Sequence, residues 1–63
     1  MDHTDFGVTE EVFSVMLSSP HLCLSEYDRW LGKFYRFRVH QPELAAGYKA
    51  KADFWRDALE DTF

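Results

Sequence analysis

One fourteen-residue segment, Tyr27–His40, constrains the fold of this chain more than any other feature. It reads YDRWLGKFYRFRVH and contains five aromatic residues and four Arg or Lys residues, in a chain of only 63 residues. A chain this short buries a smaller fraction of its surface than a larger protein does. The sequence therefore predicts a small domain with more aromatic and basic surface than its own interior needs.

The same segment has the spacing of an amphipathic helix. At about 100° per residue, its large apolar side chains fill one contiguous arc. The side chains on the opposite face are Arg29, Lys33, Arg36 and His40. Arg38 is the exception, because it falls within the apolar arc. Either the helix has ended by then, or this side chain extends past its neighbours, or it pairs with an acid across an interface.

Part of this segment also fits a strand. In Lys33–Val39, aromatic and basic residues alternate with a period of two, and Gly32 would permit a break from the helix. We expect the helix, because three helical segments fit the whole chain better than any arrangement of strands.

The whole chain predicts an all-α fold. The segments with helical spacing are about 9–18, 25–40 and 42–61. Because the link between the last two is short, they should form an antiparallel helical hairpin. The first, shorter helix would pack across that hairpin. We expect residues 1–63 to form a single small helical domain.

Capping residues indicate where these helices begin and end. Thr9 suits the N-cap of the first helix, and Pro20 ends it because the residue before a proline is disfavoured in the α conformation. Ser25 suits the N-cap of the second helix. Residues 21–24 are then a connector, or else a first helical turn that starts with Ser19 as cap and Pro20 at the first position.

The third helix has two faces that are not polar. One carries an apolar ladder formed by Leu44, Tyr48, Ala52, Trp55 and Leu59. The other carries Gly47, Ala50, Phe54 and Ala58. Small side chains let two backbones approach closely, so we expect this second face to form a homodimer interface. The alternative is a row of helix-forming alanines with one surface aromatic residue.

The preferred function is protein–protein interaction. Trp, Tyr and Arg are the residue types most enriched at binding hot spots. The residues that we expect to contact the partner are Trp30, Tyr35, Arg36 and Arg38. This pattern is typical of a small regulator, inhibitor or adaptor that binds a larger protein and acts by occupancy.

Nucleic-acid binding is the main alternative. Basic and aromatic side chains together could neutralise phosphates and stack on bases. The residues in question are Arg29, Lys33, Arg36 and Arg38. We do not favour this function, because the net charge is −4 and a polyanion repels a negative protein at long range. An acidic mimic of nucleic acid is a further alternative, but seven basic residues offset the eleven acids.

No residues indicate catalysis, a metal or a cofactor, so we expect none of these. Cys23 is the single cysteine, and its leucine neighbours favour a small buried apolar side chain. His21, Cys23 and His40 lack an evident fourth metal ligand. A Cys–His catalytic pair would need a third orienting group and a cleft.

The sequence also predicts a cytoplasmic protein that does not enter membranes. A lone thiol fits a reducing compartment, so the cysteine count agrees with this location. The acidic N-terminus does not resemble a signal peptide. The apolar runs are only three or four residues long, too short for a transmembrane helix.

Overall fold

The computed structural model describes residues 2–61 of the chain. The outermost residues of the predicted domain, Met1, Thr62 and Phe63, lie outside the described residues. In chain order the elements are a short 3-10 helix (His3–Phe6), α1 (Glu10–Leu17), α2 (Pro20–Phe37) and α3 (Pro42–Glu60). No strand occurs within residues 2–61. The predicted all-α fold, a helical hairpin with a shorter N-terminal helix, is confirmed.

The structure also shows at which residues the helices begin. Thr9 caps α1, since its hydroxyl accepts a hydrogen bond from the Val12 N–H at 3.3 Å. α2 begins at Pro20 and not at Ser25, so the predicted start is corrected by five residues. Of the two alternatives for residues 21–24, the helical turn is the one that forms. Proline suits this first position because its fixed φ matches the helix and its missing N–H needs no partner there.

α2 continues to Phe37, which excludes the alternative of a strand over Lys33–Val39. Arg38 is the C-cap, and its N–H donates to the carbonyl of Phe34 at 3.0 Å. The side chain of Arg38 is exposed. This agrees with the first of the three explanations for its place in the apolar arc, that the regular helix has ended by this residue.

α2 and α3 pack along their length to form the hairpin. Ala45 and Ala52, which lie at the buried face of α3, are almost completely hidden. Their small side chains leave room for the large rings on the facing helix. Tyr48 illustrates this packing, because it contacts Trp30 at 5.9 Å and Phe37 at 5.6 Å between ring centroids.

The centre of the core is the indole of Trp55, which has no exposed surface. The buried residues around it are Met16, Cys23 and Ala58. Two rings from the N-terminal part of the chain complete the cluster. Phe6 lies 5.2 Å and Phe13 lies 6.0 Å from Trp55, measured between ring centroids. The 3-10 helix and α1 therefore close the end of the hairpin over Trp55.

The 3-10 helix, which the sequence analysis did not predict, is held by a reciprocal capping box. The Asp2 carboxylate accepts a hydrogen bond from the Asp5 N–H, and the Asp5 carboxylate accepts one from the Asp2 N–H at 3.0 Å. The Asp2 carboxylate also accepts a hydrogen bond from the His3 N–H at 2.6 Å. Gly7 ends the helix in the left-handed conformation, with φ of 73°.

Among the described helices, none is both long and apolar enough to cross a membrane.

Candidate interaction surface

Most aromatic rings of the described chain point inward. Of the ten Phe, Tyr and Trp residues within 2–61, Tyr35 alone is exposed, with 55% of its surface accessible. The others are buried or half-buried. The excess of ring surface is therefore smaller than the sequence indicates, and it is concentrated at one position.

Tyr35 is held in place by its neighbours on α2. The guanidinium carbon of Arg38 lies 5.1 Å from the centroid of the Tyr35 ring, in a cation–π contact. The ring of Phe34 lies 5.2 Å away at a tilted angle. These contacts reduce the freedom of the two exposed side chains before any partner arrives.

Further side chains are exposed at the end of the hairpin where α2 turns into α3. Val39 is 72% exposed and Leu44 is 44% exposed, values well above those expected for core residues. Arg36 and Arg38 are also exposed. A shallow depression at the start of α3 borders on Leu44. We call this set the hairpin-end surface: Tyr35, Arg36, Arg38, Val39 and Leu44.

Trp30, the fourth residue predicted to contact a partner, has internal contacts instead. Its ring lies 5.9 Å from Phe6 and 5.9 Å from Tyr48, between centroids. It is half-buried, and its indole N–H has no hydrogen-bond acceptor among the described residues. Tyr35, Arg36 and Arg38 are thus exposed at the C-terminal end of α2, with Arg38 in contact with Tyr35, whereas Trp30 belongs to the packing of the hairpin.

Three cationic side chains surround the Trp30 ring. The Lys33 and Lys51 ammonium nitrogens lie 4.7 Å and 4.6 Å from its centroid, and the Arg29 guanidinium carbon lies 6.0 Å away. We call these three residues the cationic cluster. Sequence analysis did not identify Lys51 as a site residue. The sequence feature that could identify Lys51 is its position three residues after Tyr48, at the border of the buried face of α3.

The four residues predicted to bind nucleic acid are divided between these two places. Arg29 and Lys33 belong to the cationic cluster, whereas Arg36 and Arg38 belong to the hairpin-end surface. Arg29 also has an acidic neighbour, since its guanidinium lies 3.7 Å from the Glu26 carboxylate.

The predicted dimer face is partly covered by the chain itself. Gly47 and Ala50 are exposed. Phe54, however, is half-buried against Phe6, with ring centroids 5.1 Å apart, and Ala58 is only 5% exposed. Gly47 and Ala50 are thus the two residues of this face whose surface is open to a second copy, and the homodimer stays a prediction.

Cys23 lies in the core, where its thiol donates a hydrogen bond to the Met16 carbonyl at 3.3 Å. Burial raises the pKa of this thiol, which disfavours the reactive thiolate. His21 and His40 are exposed. Within residues 2–61, no three His, Cys, Asp or Glu side chains are grouped so that they could hold a metal ion.

Comparison with known proteins found no relative of this chain. No protein-family model matches the chain, and neither the curated proteins nor the solved structures gave a match. Any functional proposal therefore depends on the surfaces described above.

Proposed function

We propose that this protein is a small non-enzymatic interaction module that binds a larger protein through the hairpin-end surface. It would act by occupancy, as a regulator, inhibitor or adaptor, and would do so as a homodimer. The observation that carries the proposal is the 55% exposure of Tyr35 beside two exposed arginines, in a chain whose other described rings are turned inward.

The composition of this surface supports the proposal. Tyr and Arg are enriched among the residues that dominate binding energies. The cation–π contact between Arg38 and Tyr35 limits their motion, so less side-chain entropy is lost when a partner binds. Val39 and Leu44 add apolar area that a partner would remove from water.

The homodimer part of the proposal depends on Gly47 and Ala50. Both are exposed on α3, where small side chains would let the same helix of a second copy approach closely. A 63-residue chain gains much from such association, because its own core is small.

Photo-crosslinking tests the binding proposal directly. A photoreactive amino acid at position 35 should capture one specific protein from an extract of the source organism, identified by mass spectrometry. The same probe at exposed Glu60, on the last turn of α3, serves as the positional control. In the position-35 protein, Arg36→Glu should abolish capture, whereas Arg56→Glu, an equal charge change at an exposed site on α3, should not.

Two results would overturn the proposal. One is a position-35 probe that captures the same proteins as the position-60 probe. The other is a crosslinked product that nuclease removes, together with salt-dependent retention on DNA or RNA, because this would identify nucleic acid as the ligand.

A further inference from the structure

We propose that the cationic cluster of Arg29, Lys33 and Lys51 binds carboxylates of an acidic segment on the protein partner. This inference rests on the proposed function and adds the chemistry of the partner. It starts from an arrangement that neither α2 nor α3 creates alone, since Arg29 and Lys33 come from α2 and Lys51 comes from α3.

The geometry brings two ammonium groups to the same aromatic ring. Lys33 and Lys51 each lie within 4.7 Å of the same ring centroid, so their nitrogens are separated by at most the sum of the two distances, about 9.3 Å. Lys33 also lies 5.6 Å from the centroid of Tyr48. Both lysines are half-buried, so their ammonium groups are partly held by the two rings and remain partly accessible to solvent.

The charge of this cluster is not balanced by the chain itself. Among the described residues, no carboxylate lies within ion-pair distance of Lys33 or Lys51, and the Arg29–Glu26 pair is long at 3.7 Å. Lys49, two residues before Lys51, shows the contrast, because its ammonium lies 2.6 Å from the Asp53 carboxylate. The electron-rich indole face offsets part of the repulsion between the two free ammonium groups, and a bound anion would offset more.

The cluster also joins the hairpin-end surface. Lys33 and Arg36 are three residues apart on α2, so their side chains lie on adjacent turns of the same side of the helix. A partner that covers Arg36 can therefore extend an acidic side chain toward Lys33 without leaving that side of α2.

Carboxylates of a protein fit this cluster better than the phosphates of a nucleic acid. The Trp30 ring is already in contact with Phe6, Tyr48 and two lysines, so it offers no free face for a base to stack on. The acids Glu26, Asp28 and Asp53 lie within three residues of a member of the cluster. They would repel a long phosphate chain, whereas one or two carboxylates of a short segment can be bound between them.

A peptide of eight glutamates provides a defined probe. Titrated at low ionic strength, it should bind the wild-type protein and change the fluorescence of Trp30, whose ring contacts both lysines. The double variant Lys33→Gln/Lys51→Gln should weaken binding by at least about fivefold, because partly exposed ion pairs contribute modestly. Lys33→Arg/Lys51→Arg should restore binding. Helicity by circular dichroism checks that each variant is folded.

Lys49→Gln is the matched control, because it removes the same charge on α3 from a lysine that is already paired with Asp53. It should change the affinity for the peptide by less than the double variant does. Absence of peptide binding to the wild type, or an equal effect of Lys49→Gln, would overturn the inference. So would tighter, lysine-dependent binding of an eight-residue oligothymidylate.

The crosslinking experiment separates this inference from the proposed function. If the position-35 probe still captures its specific partner from the Lys33→Gln/Lys51→Gln variant with undiminished yield, the interaction module stands and the carboxylate site does not. If capture is specific in the wild type and falls in the double variant but not in Lys49→Gln, both stand.

Discussion

The imidazole of His3 lies flat on the ring of Phe13, with centroids 4.4 Å apart and planes within 8° of parallel. His3 is 7% exposed. Its two ring nitrogens lie 2.7 Å from the Asp2 carboxylate and 3.2 Å from the Glu10 carboxylate. The His3 side chain thus connects the 3-10 helix to α1. It also covers the ring of Phe13, which packs on Trp55.

Replacement of His3 by Ala should lower the free energy of unfolding by about 1–2 kcal/mol, because a buried stacked ring and its polar contacts are lost. Urea denaturation followed by circular dichroism measures this change. His21→Ala, which removes an exposed imidazole from α2, should have an effect within about 0.5 kcal/mol. Equal losses in the two variants would show that the stacking does not stabilise the fold.

Two glycines should respond to alanine in opposite directions. Gly7 has a φ of 73°, a conformation that costs an L-residue about 1–2 kcal/mol, so Gly7→Ala should destabilise the protein by that order. Gly32 lies inside α2 with no heavy atom within 4 Å of an added Cβ, so Gly32→Ala should stabilise by about 0.8–1 kcal/mol. The melting temperatures of the two variants, compared with the wild type, test both signs together.

Cys23 should make stability fall at alkaline pH. Its ordinary pKa is 9.0 and burial raises it in the folded state. As the pH rises past 9.0, the unfolded chain loses the thiol proton while the folded chain keeps it, so the free energy of unfolding decreases. Cys23→Ala should show a smaller decrease over the same range, measured by urea denaturation at several pH values. Parallel curves would count against this explanation.

If the protein is a homodimer through this face of α3, a charge introduced at Ala50 should cause the dimer to dissociate. Ala50→Glu should shift the sedimentation coefficient to that of a monomer without loss of helicity, because this position is exposed within one copy. Ser25→Glu, at an exposed position on α2, supplies the same added charge as a control. Phe54→Asp is a poorer test, since Phe54 packs on Phe6 and Trp55 and its loss would also damage the core. A wild type that sediments as a monomer would refute the dimer.

Local sequence signals were sufficient for most of the helical architecture. Thr9 and Pro42 are where α1 and α3 were expected to begin, because capping chemistry and proline geometry act within a few residues. The 3-10 helix had a signal too, since Asp2 and Asp5 are spaced as a capping box and Gly7 follows.

The candidate site could be predicted less well, because burial depends on contacts between distant residues. Periodicity placed Trp30 in the apolar arc of α2 and Phe54 on a second face of α3, but it did not show that Phe6 covers both of them. For the same reason the sequence did not show that Lys51 on α3 approaches the ring of Trp30 on α2. Tyr35, Arg36 and Arg38 are exposed because no distant described segment covers them, and their contact with a partner stays a prediction.

The contact between Phe6 and Trp55 has a consequence for the order of events during synthesis. The ribosome adds Phe6 early, but it adds Trp55, on which Phe6 packs, only near the end of α3. Until then Phe6 and Phe13 lack the surface they pack against, so the nascent chain is open to aggregation or to chaperone binding.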